Sequence, residues 1–379
     1  MKLLEDILIL DFSQFLSGPS ASLRMADMGA RVIKIERPVT GDICRELYVS
    51  DIVVNGESTI FHAINRNKES YEADLKNEDD LNKIKKLIAK ADVMMHNFRP
   101  GVMERIGLSY EEVKKLNPQI IYACISGYGE TGDWKDKPGQ DLLLQAVSGI
   151  TYLSGNRNDN PTPMGVAVAD ILTGTHVVQG ILAAIFNRFT SNEGALIEVS
   201  MMESLLDFQF EVLTSFYNDG HQLPQRSIVN NAHAYIAAPY GVYKTAEGYL
   251  ALAMGNILRL GTLLQCAALQ DYTNPSDWFN KRDEIKTILQ EHLKTKTAHQ
   301  WLALLEPADI WCAEVYDYDS LMKQEGYKIL EMEQMISFGD YSMKTTRCPI
   351  RVDGQLLTFT KGAPVLGEHS ASIDREFNL

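Results

Sequence analysis

The chain has 379 residues, more than the roughly 250–300 residues at which a single hydrophobic core stops growing, so two domains are expected. Its net charge of −14 and pI near 5.1 argue against a nucleic acid or an anionic membrane as the main partner, because both require clustered positive charge. The five cysteines form no C-x-x-C pair, so neither a disulfide framework nor a zinc site is predicted.

The first 130 residues alternate between strand and helix patterns. The predicted strands are 7–10, 30–35, 93–95 and 120–125. The predicted helices are 19–28, 79–90 and 110–116, the first with Pro19 near its start and Gly29 as its stop. Strands separated by helices imply an α/β fold with a doubly wound, mainly parallel, Rossmann-like sheet and right-handed crossovers.

Further along the chain, helices are predicted at about 139–149, 170–189 and 201–217, followed by a polar stretch at 219–231. A hairpin follows, from Ala237 to Tyr243 and from Tyr249 to Met254, with helices to about residue 306. We therefore expect a large domain of residues 1–225, completed by 325–379, and a small α/β domain of residues 226–324. The terminal segment 363–369 is expected to pack back on the large domain.

Acidic residues near Met1 interrupt the apolar run that a signal peptide needs, and the chain has no stretch of about 18 consecutive apolar residues. The unpaired cysteines also fit a reducing compartment. We therefore expect a soluble, cytoplasmic protein.

Basic residues recur at or beside the predicted strand ends. Ligands of parallel sheets bind beyond the carboxyl ends of the strands, and arginine is suited to multivalent phosphate binding. Phe98 and Val102 stand beside these residues as candidates to pack against an adenine ring. The sequence therefore predicts an adenosine phosphate ligand on an otherwise acidic protein. The basic residues are Arg37, Arg45, Arg66, Lys68, Arg99 and Arg105.

The segment Gly127–Gly132 matches the dinucleotide fingerprint G-x-G-x-x-G and follows a predicted strand. Its context argues against nicotinamide binding, because the next residues do not open a helix and the first strand-to-helix turn lacks the motif. The eight histidines show no metal-ligand spacing, and no G-x-S-x-G or Cys/His nucleophile pattern is present. No metal is predicted.

Asp170 stands where an extended stretch gives way to an amphipathic helix. One interpretation is a helix N-cap, because Asp is a preferred residue at that position. The other is a nucleophile, because a helix N-terminus favours the ionised carboxylate by roughly 0.3–1 kcal/mol and an ionised carboxylate can attack an electrophile. The residue alone does not decide between them.

Several segments together resemble the class III CoA-transferases, relatives of formyl-CoA transferase, carnitine CoA-transferase and α-methylacyl-CoA racemase. The resemblance covers nearly the whole chain, and Asp170 falls where that family carries its catalytic aspartate. The segments are Asp11-Phe12, Gly18-Pro19, Gly29–Pro38, Gly41-Asp42, Asn65–Lys68, Asn97–Gly101, Ser126–Gly129, Tyr240–Tyr243 and Gly367–His369.

The resemblance implies that CoA moves from an acyl-CoA donor to a carboxylic acid acceptor through an anhydride and a CoA thioester on Asp170. CoA and acyl-CoA are then substrates, and no tightly bound cofactor, metal or ATP is implied. It also implies a homodimer of two interlocked chains. The residues that match the CoA site are Arg37, Lys68, Asn97, Phe98, Val102 and Arg105.

The chain departs from the formyl-CoA branch at Leu16 and Gln140, where that branch has glutamine and tyrosine, and residues 230–233 replace its glycine-rich flap. Leu16 and Gln140 are therefore candidate substrate-pocket residues. The racemase branch uses a histidine and a glutamate where this chain has Gln140 and Leu258, and neither can act as a base near neutral pH. A racemase-type isomerase and a non-catalytic acyl-CoA-binding protein remain as alternatives.

Overall fold

The computed structural model describes residues 2–47, 52–54 and 56–379. The first part of the chain contains these strands and helices: β1 Leu8–Asp11, α1 Ser17–Asp27, β2 Arg31–Glu36, β3 Val53–Val54, β4 Glu57–Ser58, α2 Thr59–Asn65, β5 Glu69–Glu72, α3 Glu78–Ile88, β6 Val93–His96, α4 Val102–Arg105, α5 Tyr110–Leu116, β7 Ile121–Ser126, α6 Asp141–Ser148, α7 Val168–Ser191, β8 Ala195–Ser200 and α8 Met201–Phe208.

The remainder contains α9 Phe210–Asn218, β9 Gly241–Lys244, β10 Tyr249–Leu252, α10 Ile257–Leu264, α11 Asp277–Asn280, α12 Arg282–Leu293, α13 Ala298–Leu305, β11 Cys312–Glu314, α14 Tyr318–Lys323, α15 Glu325–Leu330, β12 Glu333–Phe338, β13 Tyr341–Thr346, β14 Arg351–Val352, β15 Gln355–Leu356 and α16 Ser370–Phe377.

The chain folds into two compact units. The first comprises Met1–Leu144, Ala167–Phe208 and Lys328–Leu379, and the second comprises Gln145–Val166 and Gln209–Tyr327. The sequence-based division instead assigns 145–166 and 209–225 to the large domain. Because a compact unit is not by itself an independently folding domain, those domain boundaries stay a prediction.

The first unit is built on a six-stranded sheet with the order β5-β2-β1-β6-β7-β8, and every neighbouring pair is parallel. The predicted doubly wound α/β fold is thereby confirmed. Strands covered on both faces read as continuous apolar runs rather than alternating ones. This is the pattern of β7, in which all six residues are buried.

Helices cover both faces of this sheet. On one face, apolar residues of α3, α4, α5 and α16 pack with strand residues in a single core cluster. On the other face, α1 and α7 pack against each other and α7 also contacts β7, β8 and α8. Members of the core cluster include Leu10, Ile33, Leu87, Met94, Val113, Tyr122 and Ile373.

The contact between α1 and α7 depends on a glycine. A Cβ at Gly174 would lie 2.3 Å from the Ser20 hydroxyl and 2.8 Å from the Ser17 carbonyl oxygen. Helix α7 is also long and apolar enough, by length and composition, to cross a membrane. It packs instead against the elements of its own unit as a core helix.

The second unit contains a three-stranded sheet in which β9 and β11 flank β10, both antiparallel to it. The predicted hairpin is confirmed, with Tyr249 opposite Lys244 next to the turn. Helices α10, α12 and α13 supply most of the buried residues that pack on this sheet, among them Leu260, Leu289 and Trp301.

Two further expectations can be compared with the structure. The predicted helix 201–217 is wrong as a single element, because it is broken at Gln209, where the chain passes from the first unit to the second. The packing of the terminal segment on the large domain is confirmed, because Gly367 and His369 donate backbone hydrogen bonds to Ser70 at 3.0 and 3.1 Å.

We predict that Gly174→Ala lowers the free energy of unfolding by roughly 1–3 kcal/mol, because overpacking forces the two helices apart. The matched control is Gly326→Ala on α15, where a Cβ would meet no atom within 4 Å. Urea denaturation of both variants measures the difference. Equal midpoints in Gly174→Ala and the wild type would contradict the close contact.

Candidate active site

The candidate site lies at the carboxyl ends of β1 and β6. The chain leaves β1 for β2 and β5 on one side and then returns to β6 on the other side of β1, which makes this the topological switch point. Doubly wound sheets bind ligands in the crevice at such a point. The loop after β1, residues 12–16, and the loop after β6, residues 97–101, are therefore brought together.

An amide side chain joins these two loops. Asn97 donates from Nδ2 to the Gln14 carbonyl oxygen at 2.7 Å, and its Oδ1 accepts the Gln14 N–H at 2.9 Å. The next residue, Phe15, is exposed and has φ +64°, a left-handed conformation that is uncommon for an aromatic residue. The Asp42 carboxylate accepts the Phe15 N–H at 3.2 Å and helps to hold this strained turn.

A fully buried carboxylate, Asp11 at the end of β1, holds the same loop from the protein interior. Its oxygens accept hydrogen bonds from the Ser13 and Ser22 hydroxyls and lie 3.2 Å from the Lys68 ammonium. Burial by itself raises the pKa of Asp11, but Lys68, Lys34 and the two hydroxyls outweigh it and lower the pKa to about 2. The turn from β1 into α1 thus rests on a carboxylate that is ionised at neutral pH.

Lys68 was predicted to line the CoA site, but its position in the structure argues against direct contact with a phosphate. Its side chain is fully buried, and its Nζ donates to Asp11, to the Pro19 carbonyl oxygen and to the Asn65 side chain. All three ammonium protons are therefore used inside the protein, which leaves none for a phosphate. Arg45 and Arg66 are likewise buried, in ion pairs with Glu36 at 2.7 Å and Asp27 at 2.8 Å.

The other basic residues at this edge are exposed. Within the described part of the chain, the guanidinium groups of Arg37, Arg99 and Arg105 form no ion pair with a carboxylate. Arg37 follows β2, Arg99 lies on the loop after β6, and Arg105 ends the short helix α4 that follows this loop, so all three come after the two strands that adjoin β1. Three cationic groups are therefore available to an anionic ligand.

Apolar groups accompany these cations. Phe98 and Val102 are half-buried, and the Phe98 ring stacks on His96 with centroids 6.0 Å apart. Burial lowers the pKa of His96 to about 4, so the ring that stacks on Phe98 is neutral at pH 7. The structure therefore brings Asn97, Phe98, Val102 and Arg105 together on one loop and helix start.

Asp170 is the third residue of α7, not its N-cap. The N-cap is Ala167, which makes no side-chain cap, and the helix begins at Val168. The N-cap interpretation of Asp170 is therefore wrong. The capping carboxylate is Asp141, whose Oδ1 accepts the N–H groups of Ala169 at 2.7 Å and Asp170 at 3.3 Å.

The Asp170 carboxylate is half-buried and accepts hydrogen bonds from the side chain and backbone of Ser17, at the first turn of α1. Burial raises its pKa, the charge of Asp141 raises it further, and Ser17 opposes both, with the result that the pKa is raised to about 6. At pH 7 roughly nine-tenths of Asp170 is therefore ionised. Among the described residues no cation pairs with it, and such a carboxylate beside a helix N-terminus can act as a nucleophile.

Leu16 and Gln140 were predicted as substrate-pocket residues. Leu16 is the N-cap of α1 and packs on a small cluster that includes Phe61 and Ala363. The Gln140 side chain is exposed, and the backbone carbonyl oxygen of this residue accepts the N–H groups of Leu143 and Leu144 at the start of α6. Their contact with a substrate stays a prediction.

A family model described as CoA-transferase family III matches residues 4–370. The chain belongs to this family. The resemblance stated from the sequence motifs is thereby confirmed, and the protein is a CoA-transferase.

Two curated relatives and one solved structure illustrate the similarity. The mouse succinyl-CoA:glutarate CoA-transferase is 29% identical over 99% of this chain and 86% of its own length. The acetyl-CoA:oxalate CoA-transferase of Acetobacter aceti is 32% identical over 98% of this chain and 95% of its own. The crystal structure of a CAIB/BAIF family protein from Brucella suis has a TM-score of 0.83 and 27% identity, covering 98% of each chain.

Sequence reasoning missed two groups in this CoA-transferase that act on Asp170. Asp141 directly follows Gln140 and lies near the start of the predicted helix 139–149, but its partners, Ala169 and Asp170, lie 28 and 29 residues away. Ser17 precedes the Gly18-Pro19 turn and resembled an ordinary helix start. No local pattern predicts either contact, because each arises only when α1, α6 and α7 pack together.

We predict that Lys68→Met lowers the free energy of unfolding by about 3–5 kcal/mol, because it leaves the Asp11 carboxylate buried without its main partner. Urea denaturation measures this loss. The control is Lys90→Met, which removes an exposed ammonium just after α3. A Lys68→Met protein of unchanged stability but with a raised Michaelis constant for acyl-CoA would instead support the phosphate role.

Proposed function

We propose that this protein transfers CoA from an acyl-CoA donor to a carboxylic acid acceptor through covalent intermediates on Asp170. The observation that carries the proposal is a largely ionised carboxylate, unpaired with any described cation, beside the switch-point loop of a CoA-transferase fold. A nucleophilic carboxylate needs no metal or external base, because it attacks in its ionised form.

The first half-reaction has two steps. An Asp170 oxygen attacks the donor thioester carbonyl, the carbon–sulfur bond breaks, and CoA leaves as a thiolate while a mixed anhydride forms. The thiolate then attacks the Asp170 carbonyl carbon of the anhydride. The donor acid leaves as a carboxylate, and Asp170 carries CoA as a thioester.

The second half-reaction runs the same steps in reverse with a new acid. The acceptor carboxylate attacks the Asp170 thioester and displaces the CoA thiolate, which gives a second mixed anhydride. The thiolate attacks the acceptor carbonyl carbon, and the Asp170 carboxylate leaves unchanged. One thioester is exchanged for another, so the transfer needs no nucleotide hydrolysis.

The nucleotide end of CoA is proposed to lie along the loop after β6. Arg37 and Arg105 are the proposed phosphate contacts, because both are exposed and form no ion pair among the described residues. Phe98 and Val102 supply the apolar surface for the adenine ring, and Asn97 holds the loop against the end of β1. Lys68 supports this arrangement from the interior through Asp11.

The names of the two relatives suggest which substrates to try first. They pair succinyl-CoA with glutarate and acetyl-CoA with oxalate, so both acceptors are dicarboxylic acids. We propose a dicarboxylic acid as the acceptor here. The test is a matrix of succinyl-CoA and acetyl-CoA against mono- and dicarboxylic acids, with the CoA products identified by mass. Turnover confined to monocarboxylic acids would refute the acceptor class.

Asp170→Asn should fold and lose nearly all transfer, because the amide cannot attack the thioester. With acyl-CoA and no acceptor, the wild type should carry a CoA-sized adduct on the peptide containing Asp170, and borohydride should reduce this thioester to an alcohol. The matched control is Asp271→Asn, an exposed carboxylate in the second unit. Residual activity of a tenth or more in Asp170→Asn would rule out the covalent mechanism.

Arg37→Ala and Arg105→Ala should each raise the Michaelis constant for acyl-CoA roughly tenfold or more with little change in kcat, because a charge-assisted contact is worth about 1.5–3 kcal/mol. Steady-state kinetics at fixed ionic strength provide the measurement. Arg375→Ala, an exposed arginine on α16, is the control. Michaelis constants that match the control would remove Arg37 and Arg105 from the CoA site.

We also propose the interlocked homodimer that the family resemblance implies. Supporting it, Phe186 and Phe189 on α7 are 78% and 82% exposed in the single chain, which is unusual for large aromatic side chains on a core helix. Light scattering after size exclusion should give the mass of two chains. A monomer at micromolar concentration would contradict the proposal.

A further inference from the structure

Two groups from different elements contact the backbone and carboxylate of Asp170. Asp141 at the start of α6 accepts the Asp170 N–H, and Ser17 at the start of α1 donates to the Asp170 carboxylate. Neither group is on α7, the helix that carries Asp170. The position of the carboxylate is therefore set by where three helix starts meet.

Asp141 performs a task that usually belongs to the N-cap residue. Ala167 has no side-chain oxygen, so the first N–H groups of α7 depend on an acceptor from elsewhere. The Asp141 carboxylate fills that place with hydrogen bonds of 2.7 and 3.3 Å to Ala169 and Asp170. An amide or hydroxyl could also accept these bonds. A carboxylate in this position adds a second negative charge beside Asp170.

Ser17 is a hydrogen-bond donor to Asp170, whereas Asp141 is an acceptor. Helix α1 has no acidic residue in its first turn, and its N-cap, Leu16, cannot accept a hydrogen bond through its side chain. Asp170 supplies the missing acceptor from α7, because its carboxylate receives hydrogen bonds from the Ser17 hydroxyl and backbone. The contact is possible because Gly174, one turn later, lets α7 approach the Ser17 carbonyl oxygen.

Other charged groups on the elements packed against α7 do not act on Asp170. Among the described residues, only Asp141 and Ser17 join burial in shifting the Asp170 pKa. Several of the other groups are bound to partners of their own, for example His176 to Asp207 at 3.4 Å and Arg188 to Asp92 at 2.8 Å. The charged groups in question are Arg24 and Asp27 on α1, Glu198 on β8, Glu203 and Asp207 on α8, and His176 and Arg188 on α7 itself.

We infer that Asp141 and Ser17 are positioning residues, which hold Asp170 in place from the starts of two other helices, one as a charged acceptor and the other as a hydrogen-bond donor. The inference rests on the proposed role of Asp170 as the nucleophile. Neither residue touches the reacting atoms of a substrate in this scheme. Both act through Asp170.

The balance between them suits a carboxylate that must attack and later leave. A more basic carboxylate is a stronger nucleophile, whereas one that is protonated at the working pH cannot attack. With its pKa raised to about 6, Asp170 is more basic than an ordinary aspartate and still largely ionised at pH 7. Removal of either residue should disturb this balance in a direction fixed by its charge.

The test is a pair of variants that keep the backbone contacts. Asp141→Asn retains an oxygen acceptor for the N–H groups of Ala169 and Asp170 but removes the charge. Ser17→Ala removes the hydroxyl and leaves the backbone N–H. Asp207→Asn on α8 is the control, because it removes a more exposed carboxylate that pairs with α7 at His176.

The first measurement is the Asp170 titration itself, followed by NMR of the full chain labelled with carbon-13 at the aspartate carboxyls. The Asp170 resonance is the one missing from Asp170→Asn. Its pKa should fall toward the ordinary aspartate value in Asp141→Asn, rise above the wild-type value in Ser17→Ala and stay unchanged in Asp207→Asn. This measurement needs no activity, so it stands even if the transferase proposal fails.

The second measurement is the pH profile of kcat/KM. The acidic limb of the wild type should lie near pH 6, move to lower pH in Asp141→Asn and move to higher pH in Ser17→Ala. The two profiles should cross, so that Asp141→Asn is the more active of the two variants at pH 5.5. Shifts in the same direction, or a uniform loss at every pH with no shift in the Asp170 titration, would overturn the inference. A wild type that transfers CoA to no acid would refute the proposed function instead.

Discussion

The buried carboxylate of Asp11 is the interaction on which the site depends. It ends the central strand of the sheet and fixes Ser13, Ser22 and Lys68 around the turn into α1. Burying a charge is expensive unless it is paired and hydrogen-bonded, and here the partners come from the loop after β1, from α1 and from the residue before β5. These contacts of Asp11 fix the first turn of α1 and therefore the position of Ser17.

The loop after β1 transmits this rigidity in two directions. Toward β6, Asn97 holds Gln14 through both of its amide hydrogen bonds, which ties the proposed nucleotide end of CoA to the loop. Toward α7, Ser17 meets Asp170. The strained conformation of Phe15 lies between the two contacts, and such strain persists only when the surroundings fix it. The proposed nucleotide-binding loop and the proposed nucleophile are therefore both held by the short segment between β1 and α1.

The fold could be predicted from the sequence because its signals are local. Apolar runs and helix patterns alternate from Ile7 onward, and strands separated by helices predict a mainly parallel sheet. The exposed Arg37 and Arg105 were found in the same way, from their place after strand ends. The burial of Lys68 could not be predicted, because the sequence shows that a lysine lies just before a strand but not whether its ammonium turns inward to Asp11. Asp141 was missed because its partners are distant in the chain.

The buried and the exposed cations of the first unit differ in their exposure to dissolved ions. At about 0.15 M salt the screening length is near 8 Å, and screening acts on charges in water far more than on buried pairs. Lys68 and Arg66 are out of reach of counterions, while Arg37, Arg99 and Arg105 are fully within reach. Rising ionic strength should therefore weaken the binding of a polyanionic substrate at salt concentrations that leave the buried ion pairs intact. The affinity for acyl-CoA, and not the stability of the fold, is then the property that depends on salt.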